Sequence, residues 1–151
     1  MVADVSTIHA SAVLIGPKAV LIRGPSGSGK SMLAWNLVMA AEQGLVSFAR
    51  LVADDRAHVE RCSGRLLVRP AQTLAGMIEI HGLGIRRIEF EPIAVVGLIV
   101  DLEAVDAARS PDAAARIGTI NKITLPRLPV AAGIARLAQV LAVVRLPPAG
   151  N

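Results

Sequence analysis

Along the chain, apolar residues gather in runs of strand length punctuated by glycine and proline, with two longer stretches of helical length. Runs at 10–15 and 19–23 flank Gly16-Pro17-Lys18, a pattern that predicts two strands joined by a tight turn. The second run feeds directly into glycine-rich sequence. In 31–43 the side chains of Met32, Leu33, Trp35, Leu37, Val38 and Met39 encircle a helix almost completely, and Gly44 supplies its stop, so this helix is expected to be buried. Leu51-Val52-Ala53 predicts a short core strand ending in Asp54-Asp55. A hairpin follows through 58–69, turning at Cys62-Ser63-Gly64.

Past Pro70 a short helix is predicted over 71–75, then Ile78-Glu79-Ile80 leads into His81-Gly82-Leu83-Gly84, where two glycines permit unusual backbone angles. Residues 92–102 are the strongest strand in the second half. The polar, alanine-rich 109–118 predicts a loop with a short helical turn, Ile123-Thr124-Leu125 a last strand before Pro126 and Pro129, and 130–144 a mostly apolar terminal helix closed by Pro147-Pro148.

Composition narrows the class. A chain of 151 residues with 53% hydrophobic and 19% charged content has the material of one cored domain and excludes disorder. The longest stretch free of Asp, Glu, Lys and Arg covers only 5–17, too short for a membrane helix, and no basic segment precedes an apolar run near the start as in a secretory signal. Cys62, alone, forms no internal disulfide, and the expected compartment is the reducing cytoplasm. The net charge of +4 comes from scattered arginines, and aromatic content is 2% without tyrosine, which argues against a nucleic-acid partner.

The chemistry is carried by Gly24-Pro25-Ser26-Gly27-Ser28-Gly29-Lys30-Ser31, which fits the phosphate-binding pattern G-x-x-x-x-G-K-[ST] between a strand and a helix. Its glycines let successive backbone N–H groups converge on phosphate oxygens, the helix start presents its positive end, Lys30 bridges β and γ oxygens, and the Ser31 hydroxyl ligates Mg²⁺. Phosphoryl transfer also needs a group that orients and deprotonates the nucleophile. At Asp54-Asp55 alternation sends one carboxylate toward the phosphates and leaves the other to support it, or the pair is a solvated turn. Glu79 is a second metal ligand or an exposed strand glutamate, and His9 an active-site or a structural histidine. His58 and His81 lack metal-ligand spacing with Cys62, so no zinc site is expected.

In order, these blocks resemble the catalytic domain of bacterial HPr kinase/phosphorylase. Ile8-His9-Ala10 is similar to the family's His-Gly segment, 24–31 to its phosphate loop, Leu51-Val52-Ala53-Asp54-Asp55 to its V-A-D-D strand end, and 78–85 to its signature E-I-R-G-L-G-I; weaker similarity runs through Arg116 and Ile123-Thr124-Leu125-Pro126. The resemblance implies a single phosphate-loop α/β domain akin to phosphoenolpyruvate carboxykinase, a central mixed sheet with flanking helices, without the N-terminal domain of longer members, as in short alphaproteobacterial forms. It further implies ATP and Mg²⁺ as cofactors and a serine of HPr, or of its paralogue in the nitrogen phosphotransferase system, as acceptor. Phosphorolysis by inorganic phosphate to pyrophosphate and hexameric assembly are implied as well.

Carried over, Asp55 resembles the proton acceptor, Lys30 and Arg116 the charge-neutralising groups, His9 an active-site histidine, and Ser31 and Glu79 the Mg²⁺ ligands, with Asp54 in support. Three positions depart from the family pattern: His81 replaces the signature arginine, Ala115 stands where an Asp precedes the Arg116 position, and Pro126-Arg127-Leu128-Pro129-Val130-Ala131 replaces the loop P-V-K-V-G-R associated with the reverse reaction. Three other readings stay open on the residues alone: a small-molecule kinase on the same loop, a non-catalytic nucleotide sensor, and simple hydrolysis of a nucleoside triphosphate.

Overall fold

The computed structural model describes residues 5–133 and 136–149. Eleven strands and two α-helices are present among them: β1 (Val5–Ile8), β2 (Ser11–Ile15), β3 (Lys18–Arg23), α1 (Lys30–Glu42), β4 (Ala49–Ala53), β5 (Ala57–Cys62), β6 (Arg65–Pro70), β7 (Met77–Ile80), β8 (Gly84–Arg87), β9 (Ala94–Leu102), β10 (Ile117–Ile120), β11 (Ile123–Val130) and α2 (Arg136–Arg145). The fold is α/β, with a large mixed sheet and flanking helices as expected.

The sheet runs β1-β5-β6-β9-β3-β2-β4 and forks at β9. One edge of β9 pairs parallel with β3, while the other pairs antiparallel with β6 through Ala94 and Val95, then parallel with β11 through residues 99–102. β10 lies against β11, and β7 and β8 form a separate hairpin. Alternation sorts the inward side chains into two cores. Leu21, Val52, Val59, Val68 and Ile99 meet on one side of the curled sheet, whereas Val20, Ile22, Leu51, Leu98 and Val100 pack with Leu33 and Leu37 of α1 and Val140 of α2 on the other. With both faces covered, β3 and β9 read as continuous apolar runs.

α1 is rich in Ala, Leu and Met, good helix formers. It stops where Gly44 takes φ 74°: the Leu45 N–H bonds to Ala40 O at 2.8 Å and the Gly44 N–H to Ala41 O at 3.1 Å, a Schellman closure. Leu33, Ala34, Leu37 and Ala40 are buried, but Met32 is exposed, so one face rather than the whole circumference is covered.

Three strands escape the sequence pattern, namely β1, β8 and β10. The last strand also continues through Pro126 and Pro129 to Val130, which shortens the expected terminal helix: Val130 pairs with Leu102, and the described helix begins at Arg136. Each half of β11 is paired along one edge only, the circumstance in which a strand accommodates proline. Among the described residues no helix is long and apolar enough to cross a membrane.

Candidate functional site

Residues 24–29 leave the end of β3 as a tight loop that closes onto the start of α1. Gly24 admits no side chain, because a Cβ there would stand 2.6 Å from Ser28 Oγ and 3.0 Å from Leu102 Cβ. Within the loop the Ser28 N–H bonds to Pro25 O at 3.0 Å, and Gly29 takes φ 95° to start the helix. No side chain caps α1 and no acidic residue occupies its first turn, so its free N–H groups and positive end are left for an anion. Lys30 Nζ lies over the loop, donating to Gly24 O at 2.9 Å and Pro25 O at 3.2 Å. Ser28 Oγ is buried with no partner among the described residues. These donors form a cradle of the kind that binds phosphate.

Beneath it, at the end of β4, lies Asp54, 4% exposed. Its Oδ1 accepts from Ser11 Oγ and from Ser31 Oγ, each at 2.7 Å, and its Oδ2 accepts the Glu79 N–H at 3.0 Å. One buried carboxylate therefore ties β2, α1 and β7 together under the loop. Asp55 turns the other way. At φ 67° it occupies a left-handed conformation that costs most L-residues about 1–2 kcal/mol and that Asp tolerates better than most. Its backbone is pinned by the Ala10 N–H on Asp55 O at 3.2 Å.

Asp55 lines a cleft of about 930 Å³ together with His9, Gly24, Lys30, Ser31, Glu79 and His81. This volume falls at the upper end of the roughly 300–1,000 Å³ usual for ligand sites. His9 arrives from the β1–β2 junction, while Glu79 and His81 come from the β7–β8 hairpin. The sequence-predicted residues thus converge, except that Pro25 and Ser28 of the loop and Arg116 are not among those lining the cleft.

Arg116 is not among the residues lining the cleft. Its Nε donates to Pro111 O at 2.8 Å and its Nη2 to Ser110 Oγ at 3.2 Å, so the guanidinium closes its own loop. The segment 126–130, likened to a loop of the reverse reaction, is strand, and Arg127 is committed elsewhere: its Nε reaches Asp101 Oδ2 at 2.6 Å and its Nη1 reaches Asp106 Oδ2 at 2.8 Å. Arg23, the residue before the phosphate loop, grips the same Asp101 with Nε and Nη2 at 2.7 and 2.8 Å. Burial pushes the Asp101 carboxyl up, but the hydrogen bonds and charges of Arg23 and Arg127 outweigh it and hold the group below the ordinary aspartate value.

Sequence reasoning missed this cluster, whose members are distant in the chain, and it missed Ser11. The only signal for Ser11 was one hydroxyl inside the apolar run 10–15.

Comparison with known proteins decides the relationship. The family model described as HPr Serine kinase C-terminal domain matches residues 1–134. The chain belongs to the HPr serine kinase C-terminal domain family. HPr kinase/phosphorylase of Lactococcus lactis subsp. lactis is 37% identical over 107 residues, 70% of this chain and 32% of the relative. That of Clostridium tetani is 29% identical over 140 residues, 81% of this chain and 43% of the relative. The chain therefore spans less than half the length of either HPr kinase. The solved structure of the HPr(Ser) kinase/phosphatase from Coxiella burnetii matches with a TM-score of 0.73 at 23% identity, covering 93% of this chain and 88% of that one, which establishes the shared fold.

Proposed function

We propose that this chain is a protein serine kinase domain that transfers the γ-phosphoryl of ATP to a serine of HPr or of its nitrogen-system paralogue. The observation that carries the reading is the placement of Asp55 in the same cleft as the phosphate loop, supported from behind by buried Asp54. Family membership supports the acceptor.

The donor set suits a magnesium–nucleotide complex. The loop offers backbone N–H groups and Lys30 to phosphate oxygens, while Ser31 Oγ and the Glu79 carboxylate are the hard oxygen ligands that Mg²⁺ takes. Because Ser31 donates its proton to Asp54, the lone pairs of Ser31 Oγ stay free for a cation. Bound there, the ion would neutralise negative charge between the phosphates.

The remaining steps belong to the chain. Lys30 exchanges its carbonyl partners in the loop for phosphate oxygens. Asp55 accepts the proton of the incoming serine hydroxyl as the hydroxyl attacks the γ-phosphorus and the bond to the β-phosphate breaks, releasing ADP; in the reverse direction, as inorganic phosphate displaces the serine oxygen to form pyrophosphate, protonated Asp55 returns that proton to the serine. His9, lining the same cleft, serves as the active-site histidine close to the phosphates. Arg116 joins only if its loop opens. Phosphorolysis to pyrophosphate is the less supported direction, since Arg127 is held by Asp101 and Asp106. Assembly into a hexamer in the cytoplasm completes the proposal, with exposed Val143, Val144 and Leu146 as apolar surface available to it.

The deciding experiment incubates the purified chain with γ-labelled ATP, Mg²⁺ and HPr. Label on an HPr serine is the expected result. Transfer only to a small molecule, or phosphate release indifferent to HPr, overturns the proposal.

A further inference from the structure

The guanidinium of Arg136, the first described residue of α2, reaches back across the fold to the phosphate loop. Its Nη1 donates to Ser28 O, and a Cβ built on Gly29 would lie only 2.6 Å from the same nitrogen. Arg136 lies beyond residues 1–134 matched by the family model and is not among the residues lining the cleft. The contact is therefore made from outside the phosphate site, by a helix that shares a core with α1 through Val140 and the partly buried Leu137.

A trans peptide makes such a contact consequential. The carbonyl of Ser28 and the N–H of Gly29 belong to one rigid plane and point in opposite directions. Fixing the oxygen toward α2 fixes the Gly29 N–H away from it, and Gly29 lines the cleft. At φ 95° and with no side chain, Gly29 has a wide range of backbone rotation open to it, and its carbonyl, but not its N–H, is held by the Leu33 N–H at the start of α1. We infer that Arg136 is a positioning residue for the phosphate loop: by holding the Ser28 carbonyl it keeps the Gly29 N–H turned into the anion cradle. The inference rests on the reading of 24–31 as the nucleotide phosphate site and adds the device that sets its geometry. It also assigns Gly29 a second reason to lack a side chain.

The test compares ATP binding in the presence of Mg²⁺, by calorimetry, for the wild-type chain and for R136A, R136K and L137A, together with the Gly29 amide resonance during titration with inorganic triphosphate. Loss of a charge-assisted hydrogen bond predicts about tenfold weaker ATP binding in R136A. R136K, which retains one donor and the charge, recovers part of it. L137A loosens α2 and lowers the melting temperature, yet costs clearly less affinity and Gly29 response than R136A, because the guanidinium is still present to hold the Ser28 carbonyl. A wild-type chain that binds neither ATP nor triphosphate defeats the phosphate-site reading itself. If the wild type binds and R136A binds as tightly, or L137A weakens binding as much as R136A does, only the positioning role is overturned. Should R136A fail to fold, R136K and the Gly29 amide decide: a Gly29 response identical in R136K and wild type overturns the inference.

Discussion

Ser31 in the first turn of α1 donates its hydroxyl proton to Asp54 at the end of β4, 2.7 Å away, and so joins the phosphate loop to the floor of the cleft. The same carboxylate receives Ser11 and the Glu79 backbone. Replacing it with an apolar residue strands the buried Ser11 hydroxyl and takes from the part-buried Ser31 hydroxyl and Glu79 N–H their acceptor.

Asp54→Ala is accordingly expected to destabilise the fold by about 2–4 kcal/mol, since each buried group left unpaired costs about 1–3 kcal/mol and some of them relax. Urea unfolding of the variant and wild type measures the difference. A midpoint unchanged from wild type would show that Asp54 does not bear on the three elements it touches.

Asp55→Asn is nearly isosteric and sits in the solvent-facing cleft, so stability and ATP affinity should change little. Turnover should fall by roughly 10²–10⁴, the range typical of a lost general base. Calorimetry for ATP and initial rates of HPr phosphorylation separate the two effects. Equal losses in binding and turnover would place Asp55 in nucleotide binding instead.

Much of this site was legible because its chemistry is local. The phosphate loop is a contiguous octapeptide, and Asp54-Asp55 follows a recognisable strand, so eight residues and two carboxylates could be found without knowing the fold. The division of labour between the aspartates was open in the pattern. The structure separates their surroundings: Asp54 is buried against Ser11, which comes within reach because β2 and β4 pair, while Asp55, at φ 67°, turns into the cleft.

What failed to show was long-range. β1 and β10 carry no strong period because each is a short strand with exposed positions, and the strand character of β11 is hidden by Pro126 and Pro129. Arg116 was assigned from resemblance, and the hydrogen bonds to Pro111 and Ser110 that take it out of the cleft come from a loop whose closure no local pattern encodes. The Arg23–Asp101–Arg127 cluster likewise exists only where β3, β9 and β11 lie side by side.

That cluster has a pH signature. The Asp101 carboxyl is held below its ordinary value of 3.8 in the folded chain, and it titrates at that ordinary value when unfolded. The stability it contributes is fully present above 3.8 and is lost as pH falls through the lower, folded value. Asp101→Asn should therefore be less stable than wild type near neutrality, with the gap narrowing on acidification below 3.8. Unfolding midpoints of both proteins across that window test this. A gap that stays constant with pH would mean that Asp101 contributes by packing and not by charge.

Gly24 offers a steric test of the cradle with a control inside the same sheet. A methyl group on Gly24 meets Ser28 Oγ at 2.6 Å and Leu102 Cβ at 3.0 Å, both in well-packed surroundings, so either the loop or the end of β9 must move. A methyl on Gly97 meets Lys18 Cδ at 2.8 Å and Lys18 Cβ at 2.9 Å, so the backbone must shift there too, but at the opposite end of β3 from the phosphate loop. Gly24→Ala should cost about 1–3 kcal/mol, as overpacking does, and weaken ATP binding severely because the displaced loop is the phosphate site. Gly97→Ala should leave ATP affinity untouched. Parallel calorimetry on the two variants distinguishes a specific distortion from a general one: equal losses of affinity would mean that the sheet transmits any strain to the loop, and the close approach at Gly24 would lose its special place.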